Sequence, residues 1–124
     1  MRVRYLGPES SMPPAPEDGR YHFLPGREYV VLELHARSDG SISLRIEHAP
    51  GELAGLYSGR FFEQVSEVIP TQWCTVLHRR GGLSMGPREW ILGDFWERMM
   101  ERESGAEDSF KSTRDAIRDE DPVS

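Results

Sequence analysis

The 124-residue sequence contains one cysteine, one lysine and no long apolar run. Because Cys74 is alone, an intramolecular disulfide is excluded, which suits a reducing compartment. No stretch approaches the roughly 18–20 apolar residues that a membrane-spanning helix needs. The first residues, MRVRYLGPESS, lack the apolar segment of a secretion signal. These absences favour a cytoplasmic protein that does not enter a membrane.

Catalytic and metal-binding motifs are also absent from the sequence. There is no C-x-x-C or H-E-x-x-H spacing, and RRGGLSMG lacks the lysine and the strand-to-helix context of a phosphate loop. His35 and Glu33 could form a metal or acid/base pair, since alternate strand residues lie about 7 Å apart. Pairing of an exposed Glu33 with Arg45 is the favoured alternative. We therefore predict no catalytic residue, no metal and no cofactor.

Negative charge is concentrated at one end of the chain. Residues 1–92 sum to −1 and residues 93–124 sum to −5, within a total of −6. This acidic segment disfavours binding to a phosphate backbone but suits electrostatic steering toward a basic protein. The alternative is that the carboxylates only keep a helical segment soluble.

The clearest pattern is a β-hairpin in which EYVVLELHA and SISLRIEH flank a turn. A three-residue loop, 38–40, with Gly40 in the left-handed conformation closes such a hairpin. The register then pairs apolar residues on one face: Leu32 with Ile46, Leu34 with Leu44, and Ala36 with Ile42. On the other face, Glu33 pairs with Arg45 and His35 with Ser43. A shift of one residue would expose the apolar face, so this register is predicted, with the second face directed outward.

Shorter patterns predict the remaining strands. RVRY is a short first strand, and four prolines make residues 7–19 an extended loop. LYS and GRFFEQV each contain a strand, and WCTVLH with GLSMG forms a second hairpin. In a regular strand, Phe61 and Phe62 point to opposite faces, so one of them is expected to leave the core.

The C-terminal part has helical patterns. PREWIL is a short helix with Pro87 in its first turn. In GDFWERMMERE, Asp94 and Glu97 have the spacing of a capping box. The apolar face of that helix is expected to pack on the sheet and consists of Phe95, Trp96, Met99 and Met100. A last helix follows, with a thin apolar face and predicted fraying beyond Arg118.

The predicted fold is α+β and mainly β, a small antiparallel barrel of five to seven strands with two or three C-terminal helices. We expect a barrel domain over 1–92 that includes the Pro-rich loop 7–19, acidic helices over 93–120 packed on the barrel, and a tail over 121–124. From Phe23 to Ser66 the chain resembles a Src-homology-3-like barrel. FLPGREYVVLEL resembles that fold's F-x-x-G-D-x-x-x-V-L strand, and AGLYSGRFFEQV resembles its closing segment with a one-turn helix.

The resemblance also has consequences for function. Recognition of proline-rich peptides in that family rests on a central-strand Trp and on a Pro and a Tyr in the closing segment. Here SISLRIE has no Trp, and Ser58 and Phe61 stand at the other two positions, so this activity is not expected. The whole layout, a barrel followed by W-x-x-x-x-F-W-E and an acidic end, resembles small bacterial immunity proteins that accompany toxins.

The sequence therefore predicts a non-enzymatic binding protein, an immunity-type inhibitor that neutralises a cognate toxin by direct contact. An adaptor or nucleic-acid-binding barrel module is the second interpretation, and a small hydrolase is the third. Nucleic acid is the less expected partner because the barrel is nearly neutral and the C-terminal end acidic. The residues predicted to bind a protein partner are Glu97, Glu101, Glu107, Asp108, Glu52, Tyr57 and Arg60.

Overall fold

A computed structural model describes residues 1–7, 23–49 and 53–123. Most of the predicted Pro-rich loop 7–19, and also Glu52, lie outside these residues. Over the described residues the fold is α+β and mostly β, with antiparallel strands in two sheets and three helices. The strands are β1 (Arg2–Tyr5), β2 (Glu28–Val30), β3 (Glu33–Ala36), β4 (Ile42–Ile46), β5 (Gly55–Ser58), β6 (Phe62–Gln64), β7 (Trp73–Leu77) and β8 (Leu83–Pro87). The helices are α1 (Arg88–Ile91), α2 (Phe95–Met100) and α3 (Ser104–Glu120).

The smaller sheet has the strand order β2-β1-β6 and the larger sheet has the order β5-β4-β3-β8-β7. The chain changes sheet at Val31 and Leu32, whose amide groups donate to Met1 in one sheet and to Arg45 in the other. It changes sheet again through a 3₁₀ turn, Gly59–Phe61. Within the described residues the ladders do not close into a barrel, and the strands number eight rather than five to seven.

The predicted hairpin register is confirmed over the β3–β4 ladder, which begins at Glu33. Leu32 precedes that ladder and is buried against the helices, whereas Ile46 is buried between the sheets, so the prediction that these two residues share one apolar face is wrong. Leu34 lies opposite Leu44 and Glu33 lies opposite Arg45 in the β3–β4 ladder. Gly40 has φ +88°, and the Asp39 carboxylate accepts hydrogen bonds from the amide and hydroxyl groups of Ser41. The loop geometry therefore fixes the pairing, as expected for a three-residue connection with glycine in the left-handed position. The second hairpin is also present, with Leu77 opposite Leu83.

The expectation that Phe61 or Phe62 leaves the core is wrong. Both side chains are buried in the same apolar cluster. The reason is local: Phe61 ends the 3₁₀ turn, and only Phe62 begins β6, so the alternation of a regular strand does not apply across the pair. The 3₁₀ turn is therefore the element that reorients these side chains.

Among the residues that the structure describes, two apolar clusters flank the larger sheet. The first joins the two sheets and contains Val3, Tyr5, Phe23, Tyr29, Val31, Leu44, Ile46, Phe61 and Phe62. The second joins the sheet to the helices and contains Val30, Leu32, Ala54, Trp90, Phe95, Met99, Ala106, Phe110 and Ile117. The larger sheet is therefore covered on both sides, which the alternating pattern of the hairpin did not indicate.

The helices differ from the sequence prediction at their ends. Asp94 stands at the N-cap of α2, but its side chain makes no capping hydrogen bond, so the predicted capping box is wrong. Met100, assigned to the packed face of α2, is 72% exposed. Helix α3 continues through Glu120, and Asp121 beyond it is buried, with its carboxylate bound by Arg2 and Ser66. No helix within the described residues has the length and apolar character needed to cross a membrane.

Candidate functional site

The most unusual side chain is Glu33, a carboxylate that is 0% exposed although it lies on the face predicted to point outward. Three donors surround it: Trp96 Nε1 lies 2.8 Å from Oε2, and Arg45 Nε and His35 Nε2 lie 3.3 and 2.9 Å from Oε1. Gly86 provides space on the neighbouring strand, since a Cβ there would lie 2.8 Å from the Glu33 Cγ. The buried carboxylate is thus satisfied by three hydrogen bonds.

Arg45 supplies the opposite charge to Glu33. Burial lowers the pKa of its guanidinium, while the Glu33 carboxylate acts in the opposite direction. The guanidinium lies 3.8 Å from the centroid of the Trp96 ring and also donates to the carbonyl of Ala54 at 3.1 Å. Trp96 therefore contacts both members of the ion pair, so helix α2 closes over the polar face of the hairpin.

A hydrogen-bonded chain extends from Glu33 toward the surface. His35 Nδ1 lies 2.7 Å from the Ser84 hydroxyl, and His78 Nε2 lies 2.8 Å from the same oxygen. The ladder between β3 and β8 sets His35 directly opposite Ser84. Pairing of β7 with β8 then brings His78, which follows β7, to the other side of Ser84.

The protons in this series of hydrogen bonds between side chains have one consistent arrangement when both histidines are neutral. The Glu33 carboxylate accepts, so His35 carries its proton on Nε2 and leaves Nδ1 as an acceptor. Ser84 has a single proton, which it donates to Nδ1 of His35. Its oxygen can then accept from Nε2 of His78. A carboxylate, an imidazole and a hydroxyl are thereby aligned in the order orienting group, base and nucleophile.

Ser84 lines a cleft of about 440 Å³. The walls come from the ends of β3 and β8, from the two hairpin loops, and from Ser43 of β4 and Leu56 of β5. Arg37 and Arg80 line the cleft and are exposed, so positive charge stands at its mouth. We call this site the Ser84 cleft.

The predicted carboxylates of the helical region lie around the connection between α2 and α3. Glu97, Glu101 and Asp108 are exposed and form no ion pair with any residue that the structure describes. Glu107 is more buried and lies 3.8 Å from Arg102 in an ion pair. Three of the four predicted carboxylates are therefore available to a partner, while Glu107 has an internal contact.

The remaining predicted residues lie elsewhere. Tyr57 is half-buried and its ring packs edge-to-face on Phe23, with centroids 4.7 Å apart, so it belongs mainly to the core. Arg60 is exposed in the 3₁₀ turn and lines a cavity of about 560 Å³, together with Leu34 and Leu44. Glu107 lines a different cavity, of about 250 Å³. The predicted residues thus belong to two separate regions, and Glu52 lies outside the described residues.

Helix α3 is fixed to the larger sheet by a second buried carboxylate. Arg114 Nη1 and Arg118 Nη2 lie 3.1 and 3.0 Å from the carboxylate oxygens of Glu47, which follows β4. Burial alone would lower the pKa of Arg114, but the carboxylates of Asp115 and Glu47 outweigh it and the pKa is raised. This clamp holds α3 in place relative to the hairpin.

Sequence patterns pointed to Glu33 and His35 as a possible pair but not to Ser84. They placed Trp96 on the packed apolar face of α2 and did not indicate its hydrogen bond to Glu33. His35 and Ser84 are 49 residues apart, and only the β3–β8 ladder brings them together. The one available signal was a serine inside the predicted strand GLSMG, and serines are too common there to indicate a site.

No protein-family model matches the chain, and no curated protein or solved structure matches it. Within the part of the chain that the structure describes, no three side chains among His, Cys, Asp and Glu form a metal-binding group. The geometry of the residues is therefore the basis for a functional conclusion.

Proposed function

We propose that this protein is an immunity-type inhibitor that binds a basic bacterial toxin in the cytoplasm and neutralises it by occlusion. The observation that carries the proposal is the exposed acidic surface at the connection of α2 and α3. We define this surface, the α2–α3 corner, by Glu97, Met100, Glu101 and Asp108. Inhibition by occlusion requires contact and charge complementarity and involves no chemical step on the toxin.

The composition of the corner supports docking of a protein. Met100 is 72% exposed beside carboxylates that have no internal partner among the described residues. An exposed methionine adapts to the shape of a partner, and the surrounding charges steer the encounter and select a basic face. Solubility alone would require the charges but not the large apolar side chain among them.

The corner is also held in a defined conformation. Arg102 joins the two helices with φ +56°, a left-handed conformation that non-glycine residues seldom adopt. Ion pairs link Arg98 to Glu103 at 3.3 Å and Arg102 to Glu107 at 3.8 Å. A surface that is ordered before binding loses less conformational entropy when the partner docks.

The first experiment uses the gene adjacent to the one for this chain. We expect its product to be toxic when expressed alone and harmless when this chain is expressed with it. The purified pair should elute as one complex in size-exclusion chromatography. A harmless neighbour, or toxicity that this chain does not relieve, would contradict the immunity function.

The second experiment measures the association rate of that complex at low and high salt. Reversal of charge at Glu97, Glu101 and Asp108 to lysine should slow association at low salt. High salt should remove the difference, because screening shortens to about 8 Å at 0.15 M ionic strength and further above it. The matched control reverses three exposed carboxylates outside the corner, Glu67, Glu89 and Asp119. Equal rates for the two triple variants at low salt would remove the corner from the interface.

We also propose that the β region has a Src-homology-3-like fold whose two sheets do not close into a barrel within the described residues. The order of β1 to β6, the crossing between sheets after β2 and the 3₁₀ turn before β6 support this proposal. The added hairpin of β7 and β8 extends the larger sheet beside β3. A solved structure of this chain, compared with that family strand by strand, tests the assignment.

A further inference from the structure

The Ser84 cleft has a geometry that partner docking at the α2–α3 corner does not use. Glu33, His35 and Ser84 form two successive hydrogen bonds of 2.9 and 2.7 Å. Both distances lie in the range expected between an orienting carboxylate, a general base and a nucleophile. In serine proteases, Nε2 of the histidine faces the serine hydroxyl and Nδ1 faces the carboxylate. Here Nδ1 of His35 faces the Ser84 hydroxyl and Nε2 faces the Glu33 carboxylate, so the two nitrogens exchange places but the hydroxyl and the carboxylate still bind one nitrogen each.

The base is held in position by its surroundings. Glu33 cannot rotate away from His35, because Trp96 and Arg45 hold its two oxygens at 2.8 and 3.3 Å. His35 lies within a strand that is paired on both sides. Such preorganisation distinguishes an activated serine from a surface hydroxyl that meets a histidine by chance.

His78 adds a second nitrogen on the other side of the hydroxyl, 2.8 Å from the Ser84 oxygen. Its Nε2 proton can stabilise negative charge that develops near this oxygen. Arg37 and Arg80 contribute positive charge at the cleft, which favours both an anionic intermediate and a ligand that carries a carboxylate or phosphate. The volume of about 440 Å³ fits a small molecule rather than a protein chain.

We infer that Ser84 is an activated nucleophile and that the Ser84 cleft is an acyl-transfer site for small anionic esters. The Ser84 oxygen attacks the acyl carbon while its proton passes to Nδ1 of His35. The bond between acyl carbon and leaving oxygen then breaks, and the alcohol departs with that proton. Water attacks the resulting Ser84 ester and gives a proton to His35. Release of the carboxylic acid, with return of that proton to the Ser84 oxygen, restores the hydroxyl.

This inference goes beyond the proposed binding function and departs from the sequence-based expectation that the chain catalyses nothing. The competing explanation is that the same hydrogen bonds only join β3 to the β7–β8 hairpin, since Ser84 is 4% exposed. The two explanations differ in reactivity: a structural hydroxyl does not react with an electrophile faster than other serines.

The test treats the folded full-length protein with a fluorophosphonate probe and follows its intact mass. We expect one adduct, formed with loss of fluoride, and peptide mapping should place it on Ser84. Ser84→Ala should show no adduct, and His35→Gln should react at least ~100-fold more slowly, the scale of general-base catalysis. Ser112→Ala is the matched control, because Ser112 is an exposed serine outside the cleft, and it should react like the wild type.

Thermal unfolding of each variant establishes that it is folded before reactivity is compared. If Ser84→Ala does not fold, the mapped position of the wild-type adduct decides the question alone. No adduct, an adduct at another residue, or an undiminished rate in folded His35→Gln would overturn the inference.

The substrate class is tested with 4-nitrophenyl esters that differ only in a terminal carboxylate. The wild type should hydrolyse the anionic ester with the higher kcat/KM. Arg37→Gln combined with Arg80→Gln should remove this preference, by lowering kcat/KM for the anionic ester more than for the neutral ester. Equal rates for both esters in the wild type would reject the anionic class, and a preference unchanged in the double variant would remove the two arginines from recognition.

Discussion

The two faces of the β3–β4 hairpin are both largely covered, but by different chemistry. One face places Leu44 and Ile46 in the apolar cluster between the sheets. The opposite face places Glu33 and Arg45 beneath Trp96 of helix α2. The first face is stabilised by removal of apolar area from water, and the second by pairing of charges and donors that burial would otherwise leave unsatisfied. An alternating pattern therefore identifies two faces but does not show that the polar one is solvated.

The largest effect is expected at the polar face. Glu33→Ala removes the only carboxylate that Arg45 contacts among the described residues and leaves a buried guanidinium without its countercharge. The cost in unfolding free energy should be about 3–5 kcal/mol, measured by urea denaturation. The control joins Glu33→Leu with Arg45→Met, which replaces the pair by apolar side chains and should recover most of the loss. A cost below about 1 kcal/mol for Glu33→Ala would mean that the face is solvated after all.

The apolar face should respond on a similar but slightly smaller scale. Leu44 is buried opposite Leu34, so Leu44→Ala should cost about 2–5 kcal/mol through lost transfer energy and a residual cavity. The control is Ile42→Ala, since Ile42 belongs to the same strand face but is 43% exposed and should cost less than about 1 kcal/mol. Similar losses at the two positions would contradict the burial gradient along this face.

Trp96 tests how much of the polar face depends on helix α2. Trp96→Phe keeps an aromatic ring near Arg45 but removes the donor 2.8 Å from Glu33 Oε2. We expect a loss of about 1–3 kcal/mol in chemical denaturation, because a buried acceptor loses a partner. Trp73→Phe is the control, since the Trp73 indole nitrogen is buried without a hydrogen-bond partner in the described region. If both substitutions cost the same, the contact with Glu33 has no measurable role.

Asp121 extends the comparison to a paired carboxylate outside the hairpin, with the smallest expected effect. Burial alone would raise the pKa of its carboxyl, but hydrogen bonds from Ser66 and Arg2 outweigh this and the pKa is lowered. Because the pKa of this carboxyl is lower in the folded state than in the unfolded state, its ionised form stabilises the fold at pH values above the unfolded-state pKa of about 3.9. This stabilisation is lost as the pH falls through the folded-state pKa. The stability difference between wild type and Asp121→Asn should therefore shrink between pH 5 and pH 2.5. A difference independent of pH would exclude the ionised carboxylate as its cause.

Several elements were predictable because their causes are local. The turn at 38–40 and the alternation of apolar and polar residues along both strands fix the hairpin register, in which Leu34 pairs with Leu44. Helical periodicity identifies α2 and α3. The acidic residues of the α2–α3 corner could be named from the same periodicity, since helix position predicts exposure for charged side chains. Two of the wrong predictions concern places where local rules meet, the 3₁₀ turn at Phe61 and the helix start at Asp94.

The α+β composition, the hairpin register and the concentration of negative charge in residues 93–124 follow from local sequence, because they depend on neighbours within a few positions. The burial of Glu33 and the contact between His35 and Ser84 arise instead from the tertiary fold. Those facts depend on the β3–β8 ladder and on the docking of α2, contacts between residues 49 and 63 positions apart. These contacts form only when the whole chain packs, so no local pattern in the sequence predicts them.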